Sequence, residues 1–127
     1  MSQVDLGADF TLHHTGIYVE NLNEIVSEDE IIVDEIQGVR LSFVMLGNTR
    51  IELLQPLNEK SPIYRAGKEK NKLLHLCFEV VDLSKGIEIC RSQNFTLLRT
   101  PVEATAFPNK KIAWMYHKTF GLVELVG

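Results

Sequence analysis

"LHHTGIYVENL" at residues 12–22 and "LLHLCFEVVDL" at residues 73–83 are two versions of one strand. Aligned on His14 and His75, each places a histidine at the head of an apolar run and closes on Asn or Asp followed by Leu. In the first copy Ile17 and Val19 share one face while His14, Gly16 and Tyr18 share the other, which is the two-residue period of a strand. A chain of 127 residues that writes the same strand twice, 61 positions apart, is built from an internal repeat.

The repeat continues beyond each of these strands. "GVRLSFVML" (38–46) is apolar and strand-like, "GNT" (47–49) is a hairpin turn, and "RIELLQPL" (50–57) is a strand stopped by Pro56. "NEKSPIYRAGKEKNK" (58–72) separates the halves as a loop, and the mixed charges of its "YRAGKEKNK" part suit a solvated surface. The second half then gives a strand at 73–81 and a helix within "DLSKGIEICRSQNF" (82–95), opened by an Asp/Ser cap signal. A further strand in "FTLLRTPV" ends at Pro101, and "KIAWMYH" (111–117) with "GLVELVG" (121–127) forms a closing hairpin. The order is β, α, β, β, β.

The first half is shorter. His14 to Glu52 spans 38 residues and His75 to Glu124 spans 49, and the deficit falls between Leu22 and Gly38. That stretch predicts a truncated or missing first helix, then an acidic strand around Ile31–Ile36. The fold class expected is α+β: two βαβββ modules, about 10–60 and 73–127, forming a single domain over 1–127. Their sheets would pair into a curved mixed sheet around a central cleft with the helices outside. Without its helix the first module would expose Ile17 and Val19, an apolar patch that predicts a homodimer.

Composition narrows the function classes. Hydrophobic residues make up 45%, too many for a disordered chain, and a net charge of −4 with pI near 5.5 argues against a general nucleic-acid binder. Cys77 and Cys90 lie in apolar patterns and are too few for a disulfide framework. There is no basic-then-apolar leader pattern in "MSQVDLGADF", and no apolar run approaches the roughly 18 residues of a membrane span. A cytoplasmic protein with no membrane partner is expected.

The repeat also carries chemistry. Each half has one histidine in its first strand and one glutamate in its last: His14 with Glu52, and His75 with Glu124. Pseudo-twofold pairing would bring two imidazoles and two carboxylates together, a donor set for one divalent ion of borderline hardness such as Ni, Co, Mn, Zn or Fe. Strand alternation turns His13 away from that face. His117 has no counterpart in the first half and suits the surface or the lining of the cleft. Trp114 and Tyr116 are pocket or core residues.

The stretches "LHHTGIYVENL", "LGNTRIELLQPLNEKSPI", "LLHLCFEVVDL" and "HKTFGLVELVG", in that order, resemble the vicinal oxygen chelate superfamily (glyoxalase, bleomycin resistance protein, dioxygenase). Within it the chain is most similar to methylmalonyl-CoA epimerases and bacterial glyoxalase I-like proteins. The resemblance implies the paired βαβββ fold, a homodimer, and metal ligands at His14, Glu52, His75 and Glu124. It implies proton abstraction beside a metal-bound carbonyl of an acyl-CoA or related small molecule; the symmetry of the pair, separately, suggests Glu124 as base and Glu52 as its partner on the opposite face. A lactoylglutathione lyase of glyoxalase I type, or a non-catalytic small-molecule binding protein, is the alternative. An extradiol oxygenase fits less well, since a fourth protein ligand closes positions that oxygen and catechol need. Three departures stand out: the cut helix, the absence of an acid in "VRLSFVML" where some epimerases place one, and "ATAFPNKK" where a Gly-Ala-His-Gly-like turn is common.

Overall fold

The computed structural model describes residues 1–127 and divides into two units, His14–Leu74 and Met1–His13 with His75–Gly127. Strand β1 (Phe10–Tyr18) begins in the latter and continues into the former.

In the His14–Leu74 unit, β2 (Ile32–Asp34), β3 (Val39–Leu46) and β4 (Thr49–Pro56) form an antiparallel meander. β1 then lies parallel beside β4, with Gly16 opposite Glu52. Leu46 pairs with Thr49 across a two-residue turn in which Gly47 takes φ +63°, the left-handed backbone such a hairpin requires. The other unit has the same plan. β5 (Leu73–Val80) lies parallel beside β9 (Gly121–Val126), with Cys77 opposite Glu124, and β9 forms a hairpin with β8 (Lys111–His117). Both units therefore set their first strand parallel to their last, which is the repeat expected from the sequence.

The first module has no α-helix between β1 and β2. Two single 3₁₀ turns, Leu22–Glu24 and Glu28–Glu30, stand in its place. The expectation that Ile17 and Val19 would be exposed does not hold. Leu22 is fully buried, and it packs with Val26 and Ile31 against Ile17, Val19, Ile51, Leu53 and Val44. Burying a leucine side chain contributes ~1.5–3 kcal/mol, so one well-seated residue recovers part of what a helix would bring. Polar side chains on the same sheet face pin the cover. Leu22 N–H donates to Gln55 Oε1 (2.9 Å), Ser42 Oγ donates to the Glu30 carbonyl (3.0 Å), and Arg40 donates to Asn23 Oδ1 (3.1 Å) and Glu28 Oε2 (3.2 Å). The physical ground for a dimer drawn from an uncovered sheet is thereby removed.

Helix α1 (Tyr64–Lys68) interrupts the stretch expected to be loop throughout. Helix α2 (Leu83–Ser92) forms where expected, its N-terminus capped by Asp82, which accepts from Lys85 N–H at 3.1 Å. It ends at Ser92, and Asn94 just beyond its cap is held at φ +69°. α2 lays Ile87 and Cys90 against Val80, Phe95, Ala113, Met115, Val123 and Leu125. Burial pushes the Cys90 thiol up to about 11, so it stays protonated near neutral pH and acts as a small core residue. The single strand expected in "FTLLRTPV" is two short pieces, β6 (Thr96–Leu97) and β7 (Val102–Glu103), each paired with β8. Pro101 lacks the N–H that a continuous ladder would use.

Candidate functional site

The strand registers decide which side chains share a face. On β1, β4 and β3 the face opposite the Leu22 cover carries His14, Gly16, Tyr18, Glu52, Leu54, Leu41 and Phe43. His14 and Glu52 are only 1% and 4% exposed, and His14 Nε2 lies 3.5 Å from Glu52 Oε1. In the other unit the face opposite α2 carries His75, Cys77, Glu124 and Trp114. His75 and Glu124 are likewise buried, with Nε2 to Oε1 at 3.8 Å. Glu124 does not point to solvent from a sheet edge, because β9 is flanked by β5 and β8. His14 sits mid-strand rather than at the head, since β1 starts at Phe10.

These separations are informative. At 3.5 and 3.8 Å both exceed a good N–H···O hydrogen bond. Two donors each about 2 Å from one ion lie at most about 4 Å apart, so each pair is spaced to share a metal. Each pair also supplies one imidazole and one carboxylate, the donors that zinc, nickel, cobalt, manganese and iron accept. The residues present fit a divalent ion.

The structure adds a residue to each pair: Phe43, which sequence reasoning missed, and Trp114, which it placed only as pocket or core. Phe43 stands opposite Glu52 and meets the His14 ring edge-on, centroids 5.3 Å apart at 64°. Trp114 stands opposite Glu124 and meets the His75 ring at 4.9 Å and 86°. The repeated unit is thus a triplet of histidine, glutamate and aromatic ring, with the ring fixing the plane of the imidazole. Its sequence signal was masked by unequal hairpins. Phe43 precedes its glutamate by nine residues and Trp114 by ten.

Other singled-out residues have structural partners. His13 packs edge-on to Phe107 at 4.9 Å. His117 sits between Phe95 and Phe120, and its Nδ1 accepts from Thr119 N–H at 3.0 Å. Tyr116 is exposed, whereas Trp114 is half-buried. β3 carries no carboxylate.

Residues 13–114 match the model of the Glyoxalase/Bleomycin resistance protein/Dioxygenase superfamily. The ethylmalonyl-CoA/methylmalonyl-CoA epimerase of Cereibacter sphaeroides is 36% identical over 94 residues, 69% of either chain. The mitochondrial methylmalonyl-CoA epimerase of Dictyostelium discoideum is 29% identical over 127 residues, 90% of this chain and 76% of that one. Among solved structures, the methylmalonyl-CoA epimerase of Mycobacterium tuberculosis superposes with a TM-score of 0.75 at 27% identity, covering 91% of this chain and 85% of that one.

Proposed function

Since this chain belongs to the Glyoxalase/Bleomycin resistance protein/Dioxygenase superfamily, the vicinal oxygen chelate group, we propose that it is a divalent-metal-dependent epimerase acting on methylmalonyl-CoA or a close acyl-CoA. The observation that carries this reading is the duplicated buried His–Glu pair, each with the donors and spacing to share a divalent ion, and His14, Glu52, His75 and Glu124 are the ligands proposed. The names of its relatives supply the substrate class.

When bound, the metal supplies Lewis-acid stabilisation of the negative charge that grows on a thioester oxygen. The protein does the rest. Glu124 would accept the proton from the carbon beside the carbonyl and Glu52 would return one from the opposite face, each serving as ligand and as proton carrier by turns, because a carboxyl that holds a proton gives up its place as a ligand. Exchange of the two carboxyls with solvent resets the cycle and would carry solvent hydrogen into the product. Phe43 and Trp114 hold the imidazoles in place. Each tenfold of rate requires about 1.4 kcal/mol, so several kcal/mol of charge stabilisation would be worth two decades or more.

The test is metal-loaded protein incubated with methylmalonyl-CoA in D₂O. One deuterium at C2 with loss of stereochemical purity is expected. Full metal loading without exchange would refute the epimerase reading. Conversion of a glutathione hemithioacetal instead would establish the glyoxalase I-like alternative, kept in view because β3 lacks the acid that some epimerases place there.

We also infer a homodimer, as the family resemblance implies, and sedimentation as a single 14.4 kDa species at micromolar concentration would refute it. Two buried cysteines outside any disulfide suit a reducing compartment such as the cytoplasm. No helix is long and apolar enough to cross a membrane.

A further inference from the structure

Residues 64–72 carry Arg65, Lys68, Lys70 and Lys72 against a single acid, Glu69, in a chain whose net charge is −4. Arg65 Nε is engaged by Glu69 at 2.9 Å, and Lys68, Lys70 and Lys72 are all exposed. This segment is fixed to the end of β1 rather than loosely solvated. Tyr18 N–H donates to the Lys72 carbonyl at 2.8 Å. The Tyr18 ring lies so close to α1 that a Cβ on Gly67 would come within 2.0 Å of its Cζ, which only glycine permits. Tyr18 is on the same face of β1 as His14.

Lys70 is the second observation. It comes after α1 in the left-handed conformation, φ +58°, while Asn71 N–H donates to the Ala66 carbonyl at 2.8 Å to close the helix end. Glycine or asparagine is the usual residue at such a position, because a side chain there is strained. Lys70 thus holds its charge at an exposed position where the backbone is strained.

We propose that the Arg65–Lys72 segment receives the phosphates of a coenzyme A thioester whose acyl end lies at the His14–Glu52 pair, an assignment that rests on the acyl-CoA substrate proposed above. The reach agrees. Four strand residues from His14 to Tyr18 span about 13 Å. The pantetheine arm, from sulfur to the first phosphate ester oxygen, has roughly thirteen chain atoms, the equivalent of about four residues or ~14 Å extended. Lysine ammonium groups are suitable point-charge partners for a polyanion, and their exposure makes the attraction salt-sensitive.

The test is calorimetric titration of the full chain with coenzyme A and, separately, pantetheine. Combining Lys68→Gln, Lys70→Gln and Lys72→Gln weakens coenzyme A at least about tenfold and leaves pantetheine affinity unchanged. Lys70→Gly alone raises Tm by relieving the strain and still weakens coenzyme A, which a purely structural lysine would not do. Equal coenzyme A affinities in parent and triple variant, or no binding by the parent, would overturn the assignment. Because the readout is binding, a parent that binds coenzyme A but exchanges no deuterium would refute the epimerase reading alone.

Discussion

Alanine in place of His75 is expected to abolish stoichiometric metal and to lower deuterium exchange roughly 10³-fold or more, the rate equivalent of losing several kcal/mol of charge stabilisation. His75 is 5% exposed in the middle of β5, with Trp114 against one edge and Glu124 Oε1 3.8 Å from Nε2. Its removal takes away the donor and also the surface on which Trp114 rests. The α2-facing core of this unit uses the other face of β5, through Val80 and Phe78, so the fold should survive. Elemental analysis after gentle purification, with circular dichroism as the control for folding, reads the result. A folded His75→Ala protein that retains its metal would remove His75 from the ligand set. A parent protein that takes up no nickel, cobalt or manganese would make the duplicated histidines structural and leave a fold used for binding alone.

Much of this architecture was legible in the sequence because the repeat fixes registers, and registers fix faces. Once "RIELL" and "GLVEL" are equivalent last strands, parallel pairing with β1 and β5 places Glu52 beside Gly16 and Glu124 beside Cys77. The shortened link after β1 was legible by counting. The features that stayed hidden depend on tertiary packing. Nothing in "NLNEIVSEDEI" announces that Leu22, with Val26 and Ile31, would fill the space beneath two 3₁₀ turns, because the residues that pin this cover, Gln55, Ser42 and Arg40, lie on distant strands. α1 is only five residues long, too short for a hydrophobic period, and it is held in place by Tyr18. Phe43 looked like an ordinary strand aromatic until the hairpin register set it opposite Glu52.

The repeat gives Glu52 and Glu124 equal claims to the base, and their neighbours separate them. Gly16 presents only backbone opposite Glu52, whereas Cys77 is fully buried and sets its sulfur within 4.8 Å of a Glu124 carboxylate oxygen. Trp114 closes the other side of Glu124 in the β8–β9 register. Glu124, flanked by a thiol and an indole with His75 Nε2 3.8 Å away, is the carboxylate assigned the proton from carbon. Glu124→Gln should therefore leave metal content near that of the parent, since the amide oxygen can still act as a ligand, while exchange at C2 falls roughly 10²–10⁴-fold. Glu52→Gln should differ in kind. It should still allow a proton to be removed and returned on the Glu124 face, so one stereoisomer would exchange with solvent while interconversion is lost. Tracking deuterium entry and stereochemistry together in the two variants distinguishes the roles. If Glu124→Gln keeps both its metal and full exchange, the base is another group. If the two variants behave alike, the carboxylates act only as ligands, and the pseudo-symmetry of the pair belongs to the metal and not to the proton transfer.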